Sequence, residues 1–223
     1  MTRPSPPSPR LGASRAGALA ESRAPAAGLL IAFEGLDQSG KQTQAELLRD
    51  LLVGRGRAVR LLSFPAYETP IGQELARALR GAHDYPADVM QLLYIANRYE
   101  EKPQIELELA RGTVLVCDRF AASSIAYGEA QGVDPAWLAD VQRHLPTPDF
   151  TILLDITPEV SLRRKPRDRD RYEQDLALLG RVRESYLRQA AANGWAVIDA
   201  DRSRDAIAAA VSANIGADRV RGL

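Results

Sequence analysis

The sequence predicts a three-layer α/β fold in which a five-stranded parallel sheet lies between helices. Three observations predict it. Short apolar runs alternate with stretches of helical periodicity, the pattern of a parallel sheet covered on both faces. The first apolar run ends in a glycine-rich loop that leads straight into a helix. The chain has 223 residues, 45% of them hydrophobic and 26% charged, enough for one domain with a full core.

The elements follow in order. LLIAFE over 29–34 is a continuous apolar run, as suits a strand buried on both faces. KQTQAELLRDLLVG follows, with Ala45, Leu47, Leu48, Leu51 and Leu52 at helical spacing and Gly54 as a stop. A second strand is expected near 57–63 and a helix near 71–80, ending at Gly81. A long helical stretch runs from Pro86 towards Arg111, where Pro103 is expected to break or kink it. TVLVCD over 113–118 is the third strand. Asp134-Pro135 and Thr157-Pro158 are both an N-cap followed by proline at the first helical position. FTILLDI over 150–156 is the fourth strand between them. A helix near 172–193 ends at Gly194, WAVID over 195–199 is the fifth strand, and Ser203 opens a last helix.

Residues 1–28 differ from the rest. They are rich in Pro, Ser, Ala and Arg and lack apolar periodicity, so they read as a disordered tail ahead of a single domain over 29–223. Four arginines against one acid echo an organellar transit peptide, but the prolines argue against an amphipathic helix, and a plain tail is preferred.

Formal net charge is zero, so no global field points to a nucleic-acid partner. No apolar run is long enough to cross a membrane as a helix. Cys117 is the only cysteine, which rules out an internal disulfide and makes a reducing, cytoplasmic setting the default. Lysine occurs only at 41, 102 and 165, so Lys41, inside the glycine loop, stands out.

That loop reads Gly35-Leu36-Asp37-Gln38-Ser39-Gly40-Lys41, a G-x-x-x-x-G-K motif between a strand and a helix. The context is that of a P-loop NTPase. Glycines let backbone N–H groups converge on phosphate oxygens, and the helix N-terminus adds a positive dipole end. Lys41 is expected to reach the β- and γ-phosphates of ATP. The next residue is usually Ser or Thr, whose hydroxyl binds Mg²⁺; here it is Gln42, followed by Thr43. The longer amide is a poorer ligand for a small octahedral ion, so phosphates, waters and a nearby carboxylate are expected to hold the magnesium.

The third strand delivers Asp118-Arg119-Phe120 to the carboxyl edge of the sheet, where ligands of such folds bind. A carboxylate there can organise Mg²⁺, and an arginine can hold an acceptor phosphate. Taken alone, the pair reads better as a surface salt bridge. Tyr94 and Arg98 are four apart and share a helical face. They can stack on a base and bond its edge, or form a core tyrosine beside an exposed arginine.

Together the motifs resemble the thymidylate kinase family. Phe33-Glu34-Gly35-Leu36-Asp37 with Gly40-Lys41 and Thr43-Gln44 is similar to its P-loop. Phe64-Pro65-Ala66-Tyr67-Glu68-Thr69-Pro70-Ile71-Gly72 resembles its Phe-Pro segment, and Leu92 to Arg98 its LLF-x-A-[ND]-R helix. Asp118-Arg119-Phe120 through Ser123-Ser124 to Tyr127 resembles D-R-[YF]-x-x-S-x-x-A-Y, and Pro148 to Asp155 its P-D-x-T-x-x-L-D strand. The resemblance covers about 29–215, in order.

It implies phosphorylation of dTMP to dTDP by Mg-ATP, in dTTP synthesis, by a homodimer. It also implies residue roles. The loop from Gly35 to Thr43 would bind ATP. Asp37 would contact the sugar 3′-hydroxyl and, with Asp118, help place the magnesium shell. Phe64 and Tyr67 would line the acceptor site, with Tyr67 standing where many relatives have an arginine. Tyr94 would stack on thymine, Arg98 would bond the base edge, and Ser123 or Ser124 would face the base. Tyr127 would lie under the deoxyribose, and Arg119 would bind the acceptor phosphate.

The run Arg163 to Glu173 is, on charge alone, a solvated face. It lacks the interleaved aromatics of a nucleic-acid patch. By resemblance it is the family's lid, at about 163–172, and Arg167, Arg169 or Arg171 would neutralise the transferring phosphoryl group. Two alternatives stay open on the residues: a kinase of this fold with another acceptor nucleotide or a deoxynucleoside, and a non-catalytic nucleotide-binding protein, suggested by Gln42 and Ala66.

Overall fold

A computed structural model of the chain describes residues 27–167 and 174–216. The expected tail at 1–28 therefore lies almost wholly outside the described residues, as do Arg169 and Arg171.

The described residues form β1 (Leu29–Glu34), α1 (Lys41–Val53), β2 (Val59–Ser63), α2 (Pro70–Leu79) and α3 (Ala87–Ala110). Next come β3 (Val114–Asp118), α4 (Ala121–Ala130), α5 (Pro135–Gln142) and β4 (Phe150–Asp155). The described residues continue with α6 (Pro158–Arg164), α7 (Leu176–Asn193), β5 (Ala196–Asp199) and α8 (Arg204–Ile215). The five strands pair in parallel in the order β2-β3-β1-β4-β5, as the alternating pattern predicts.

Every residue of β1 is buried, which is why its sequence is apolar without alternation. Its two faces serve different layers. Leu29, Ile31 and Phe33 join the core built with α1, α7 and α8, through Leu48, Leu179, Val182, Ile207 and Val211. Leu30 and Ala32 face the other way, onto Leu115, Cys117, Ile105 of α3 and Leu145. Burial pushes the Cys117 thiol up, so it is a small core side chain and not a nucleophile.

β1 lies beside β3, and the connection leaving β1 runs to β2 while the one leaving β3 runs to β4, in opposite directions across the sheet. Such a switch point opens a crevice at the carboxyl ends of the strands. The loop after β1 and the Asp118-Arg119 step after β3 both lie there.

The caps read from sequence hold. Asp134, Thr157 and Ser203 accept hydrogen bonds from the N–H groups of Ala136, Val160 and Ala206. Gly194 ends α7 at φ 65°, a left-handed conformation that suits glycine.

Two expectations need correction, and one helix was not expected from the sequence. Pro103 does not break α3, which is helical from Ala87 to Ala110. The proline costs the helix a backbone bond, about 3 kcal/mol, but fully buried Met90 and Ile105 and nearly buried Ile95 anchor both halves. The segment after Asp118-Arg119-Phe120 is a helix, α4, which Ala, Ser and Gly composition conceals. Its N-cap is Phe120, which offers no side-chain oxygen; the Phe120 N–H is met instead by Glu34 Oε1 at 2.8 Å. Finally, α7 starts at Leu176 with Asp175 as its cap, later than the expected 172.

Candidate active site

The glycine loop after β1 turns through positive φ at Gly35 (138°), Gln38 (66°) and Gly40 (93°). A Cβ at Gly35 would lie 2.4 Å from the Leu154 carbonyl oxygen, so only glycine lets the loop pass β4. Gly40 caps α1 without a side-chain bond. Lys41 is buried, and its Nζ donates to the Leu36 carbonyl at 2.8 Å, curling over the loop. Burial lowers its pKa and the Arg119 charge adds to this, while Asp37, Asp118 and Glu34 oppose it. Ser39 Oγ is buried in the loop without a partner among the described residues.

Arg119 is the hub of the opposite wall. It leaves β3 with φ 66°, a conformation uncommon for a residue with a Cβ. Its backbone N–H is held by the Phe33 carbonyl at 2.9 Å. Its guanidinium donates to Asp37 Oδ1 at 2.6 Å, Tyr186 Oη at 3.1 Å, Ser123 Oγ at 3.2 Å and Tyr127 Oη at 3.4 Å. It also lies over the Tyr127 ring, 5.3 Å from the centroid. Burial disfavours its charge, but Asp37 and the surrounding tyrosines more than compensate, so its pKa is raised. Asp37 is partly buried, which would raise its pKa; Arg119 and Lys41 overcome that and hold the carboxyl well below the usual range.

Glu34 lies beneath this wall and is fully buried. Its Oε1 accepts from Phe120 N. Its Oε2 accepts from Ser123 Oγ at 2.6 Å and Tyr186 Oη at 3.2 Å. One carboxylate thus ties β1, the start of α4 and α7 together under Arg119. Neither Glu34 nor Tyr186 was assigned a role from sequence. A charged residue closing an apolar strand was a signal for the first, whereas Tyr186 gave none.

Between α2, α3, α4 and the loop after β2 lies a cleft of about 110 Å³. All nine residues expected to hold the acceptor line it: Asp37, Phe64, Tyr67, Tyr94, Arg98, Arg119, Ser123, Ser124 and Tyr127. Arg98 is not an exposed arginine. It is 2% exposed, donates to Ser124 Oγ at 2.7 Å and to the Tyr94 carbonyl at 3.2 Å, and lies 5.7 Å from the Phe64 ring centroid. Burial pulls its pKa down to about 10, so it is charged at neutral pH. Asn97, on the next face of α3, holds the loop: it accepts from Ala66 N at 2.8 Å and donates to Thr69 Oγ1 at 2.8 Å and the Ala66 carbonyl at 3.2 Å. Phe64 and Pro65 are joined by a cis peptide.

Other expected residues stand apart from these two groups. Gln42 and Thr43 are exposed, and the Gln42 amide donates to Glu46 Oε1 at 3.0 Å, away from the loop. Arg167 is exposed. Arg164, for which the sequence suggested no separate role, donates to the Gln38 carbonyl at 2.9 Å and the Ala200 carbonyl at 2.6 Å, so the base of the arginine-rich stretch touches the glycine loop. Asp149, in the P-D motif, is structural: its carboxylate accepts the Leu30 N–H at 2.8 Å.

Comparisons with known proteins agree with one another. A family model described as thymidylate kinase matches residues 33–211. The thymidylate kinase of Schizosaccharomyces pombe is 37% identical over 147 residues, 66% of this chain and 70% of that protein. The human thymidylate kinase is 33% identical over 185 residues, 81% of this chain and 86% of that protein. Among solved structures, a thymidylate kinase from Candida albicans superposes with a TM-score of 0.78 at 28% identity, covering 87% of this chain and 93% of that one.

Proposed function

The chain belongs to the thymidylate kinase family and phosphorylates dTMP, and we propose that the cleft between α3 and α4 holds dTMP while the glycine loop holds the phosphates of ATP. The convergence of nine expected acceptor side chains on one cleft beside that loop carries this reading.

The reaction is in-line attack of a dTMP phosphate oxygen on the γ-phosphorus. A bond forms between them, the bond to the β–γ bridging oxygen breaks, and ADP leaves. No covalent enzyme intermediate is needed, so positioning and charge neutralisation supply the rate. Lys41 turns from the Leu36 carbonyl onto the β- and γ-phosphates, whose charge favours its protonated form. Arg119 holds the acceptor phosphate at the edge of the sheet, pre-aimed by Asp37, Glu34 and Tyr186. Arg98 and Ser124 bond the base edge, and Tyr94 and Phe64 flank the ring. Arg167, in the stretch after α6, would supply positive charge to the transferring group.

Magnesium suits the residues present. Asp118 Oδ1 is buried without a hydrogen-bond partner among the described residues, and Mg²⁺ in such sites needs one or two carboxylates with substrate phosphates and water. Asp118 is therefore the carboxylate that would hold it. Both oxygens of Asp37 are bonded, to Arg119 and to Tyr127, so Asp37 acts more through those two side chains. Bound there, the ion would neutralise charge on the β- and γ-phosphates. Gln42, turned towards Glu46, is not needed for it.

The homodimer and the cytoplasmic location that the family implies are part of the same proposal. Exposed Leu92 and Leu107 on α3 offer apolar surface for an interface. No helix among the described residues is long and apolar enough to cross a membrane.

An acceptor panel tests the reading. With Mg-ATP, turnover should be greatest on dTMP when it is compared with dUMP, dCMP, UMP and thymidine. Preference for another acceptor would reassign the cleft, and ATP binding without turnover on any of them would favour a non-catalytic role.

A further inference from the structure

One wall of the cleft carries a polar group that the reading above leaves without a task. Gln91 lines the cleft and is 1% exposed. Its Nε2 is buried with no hydrogen-bond partner among the described residues. Buried polar atoms are nearly always paired, and an unpaired one disfavours the state that holds it. An orphan amide facing a binding cleft is accounted for when a ligand supplies the missing partner.

Placement supports this. Gln91 precedes Tyr94 and Arg98 by three and seven residues on α3, a spacing that puts all three on one helical face. All three line the same cleft. The opposing helix makes room: a Cβ on Gly128 of α4 would lie 3.1 Å from Gln91 Cγ and 2.4 Å from Leu138 Cδ1. Glycine at 128 therefore lets the Gln91 stem lie between α3 and α4 with its amide at the cleft.

We propose that Gln91 is a specificity-determining residue that hydrogen-bonds the edge of the acceptor's base. Its amide presents a donor and an acceptor side by side, the complement of a ring carbonyl next to a ring N–H. A pyrimidine with that imide edge, such as thymine, offers both. The inference rests on the cleft being the acceptor site.

The test is steady-state kinetics with Mg-ATP and either dTMP or dCMP, on wild type, Gln91→Leu and Gln91→Glu, with the KM for ATP as a control for folding. Gln91→Leu should raise the KM for dTMP about tenfold to hundredfold, with kcat and the KM for ATP little changed. Gln91→Glu keeps the size but can only accept, so it should favour the 4-amino group of cytosine. Its kcat/KM ratio of dTMP to dCMP should fall at least about tenfold. Wild-type kinetics in both variants would overturn the proposal while leaving dTMP in the cleft. A raised KM with an unchanged dTMP-to-dCMP ratio would assign Gln91 to packing and overturn it as well. A wild type that does not use dTMP would remove the acceptor reading itself, and this inference with it.

Discussion

Arg119 donates to Asp37 Oδ1 at 2.6 Å, and the two side chains are 14% and 31% exposed. This ion pair joins the end of β3 to the glycine loop after β1. The charge expected to meet the acceptor phosphate is thereby fixed to the loop expected to hold the donor. Because the pair is mostly out of water, removing one partner leaves the other charge buried, which costs more than breaking a surface salt bridge.

The pair has a pH signature. Asp37 has a folded-state pKa depressed by Arg119 and Lys41 against the opposing effect of burial. A depressed carboxylate contributes stability above its unfolded pKa, near 4, and loses that contribution as pH falls from there towards the folded value. Asp37→Asn should therefore have a lower Tm than wild type at pH 7. The gap should narrow below about pH 4. Thermal melts of both proteins from pH 3 to 7 check this; a gap independent of pH would show that Asp37 does not stabilise through its charge.

Lys41→Ala should nearly abolish turnover while the fold persists. The Nζ has one backbone acceptor, the Leu36 carbonyl, and burial already disfavours its charge, so the core loses little when it is truncated. Charge neutralisation of a transferring phosphoryl group is worth about a hundredfold or more in kcat. A folded Lys41→Ala protein with wild-type kcat would remove the glycine loop from the mechanism.

Asn97→Ala should cost about 1–3 kcal/mol of stability and raise the KM for dTMP more than that for ATP. Fully buried Asn97 accepts the Ala66 N–H and donates to the Ala66 carbonyl and Thr69, so its loss leaves backbone groups of the Phe64–Thr69 loop unpaired. That loop brings Phe64 and Tyr67 to the cleft. Denaturant melts and substrate titrations measure the two effects. Equal changes in both KM values would mean that the loop does not serve the acceptor side.

Much of this was legible in the sequence, for identifiable reasons. Strand β1 and helix α1 were readable because a fully buried strand is continuously apolar and a phosphate loop needs glycine where φ is positive. Caps at Asp134, Thr157 and Ser203 were readable because capping is local. The residues that line the cleft were picked out through the order of motifs, since a single pair such as Asp118-Arg119 reads, taken alone, as a surface salt bridge. Helix α4 was not legible, because its cap is supplied by Glu34, 86 residues away. Tyr186 and Gln91 were missed for a related reason: each is marked only by what lies across from it in three dimensions.

A chain starting at Ala27 should keep the Tm and kcat of the full protein. Among the described residues the core begins with Leu29 of β1. Its first contacts are Gly28, where a Cβ would lie 2.2 Å from the Leu109 carbonyl oxygen, and Ala27, whose carbonyl accepts from Arg57 at 2.9 Å. A start beyond Gly28 should lower the Tm, because β1 would lose its lead-in. A large drop in Tm or kcat on removing 1–26 alone would show that those residues take part in the domain.

Sugar selectivity tests the acceptor side most directly. Tyr127 lies on α4 and lines the cleft; its Oη donates to Asp37 Oδ2 at 3.1 Å. Burial raises its pKa well above that of free tyrosine, so it stays a neutral donor across the physiological range. Its ring is further fixed by the Arg119 guanidinium, 5.3 Å from the centroid. A ring held from both sides cannot easily retreat from a ribose 2′-hydroxyl, nor does it offer that hydroxyl a free partner. An unpaired buried hydroxyl costs about 1–3 kcal/mol, about a tenfold to hundredfold penalty, so dTMP should be preferred over its ribose counterpart by that margin. Tyr127→Phe keeps the ring but frees Asp37 Oδ2. It should retain most of the preference while lowering kcat through a looser Asp37–Arg119 pair. Tyr127→Ala removes the ring and should erode the preference itself. The measurement is kcat/KM for both sugars in the three proteins. Equal use of the two sugars by wild type would separate Tyr127 from sugar recognition and point to an acceptor bound in another orientation.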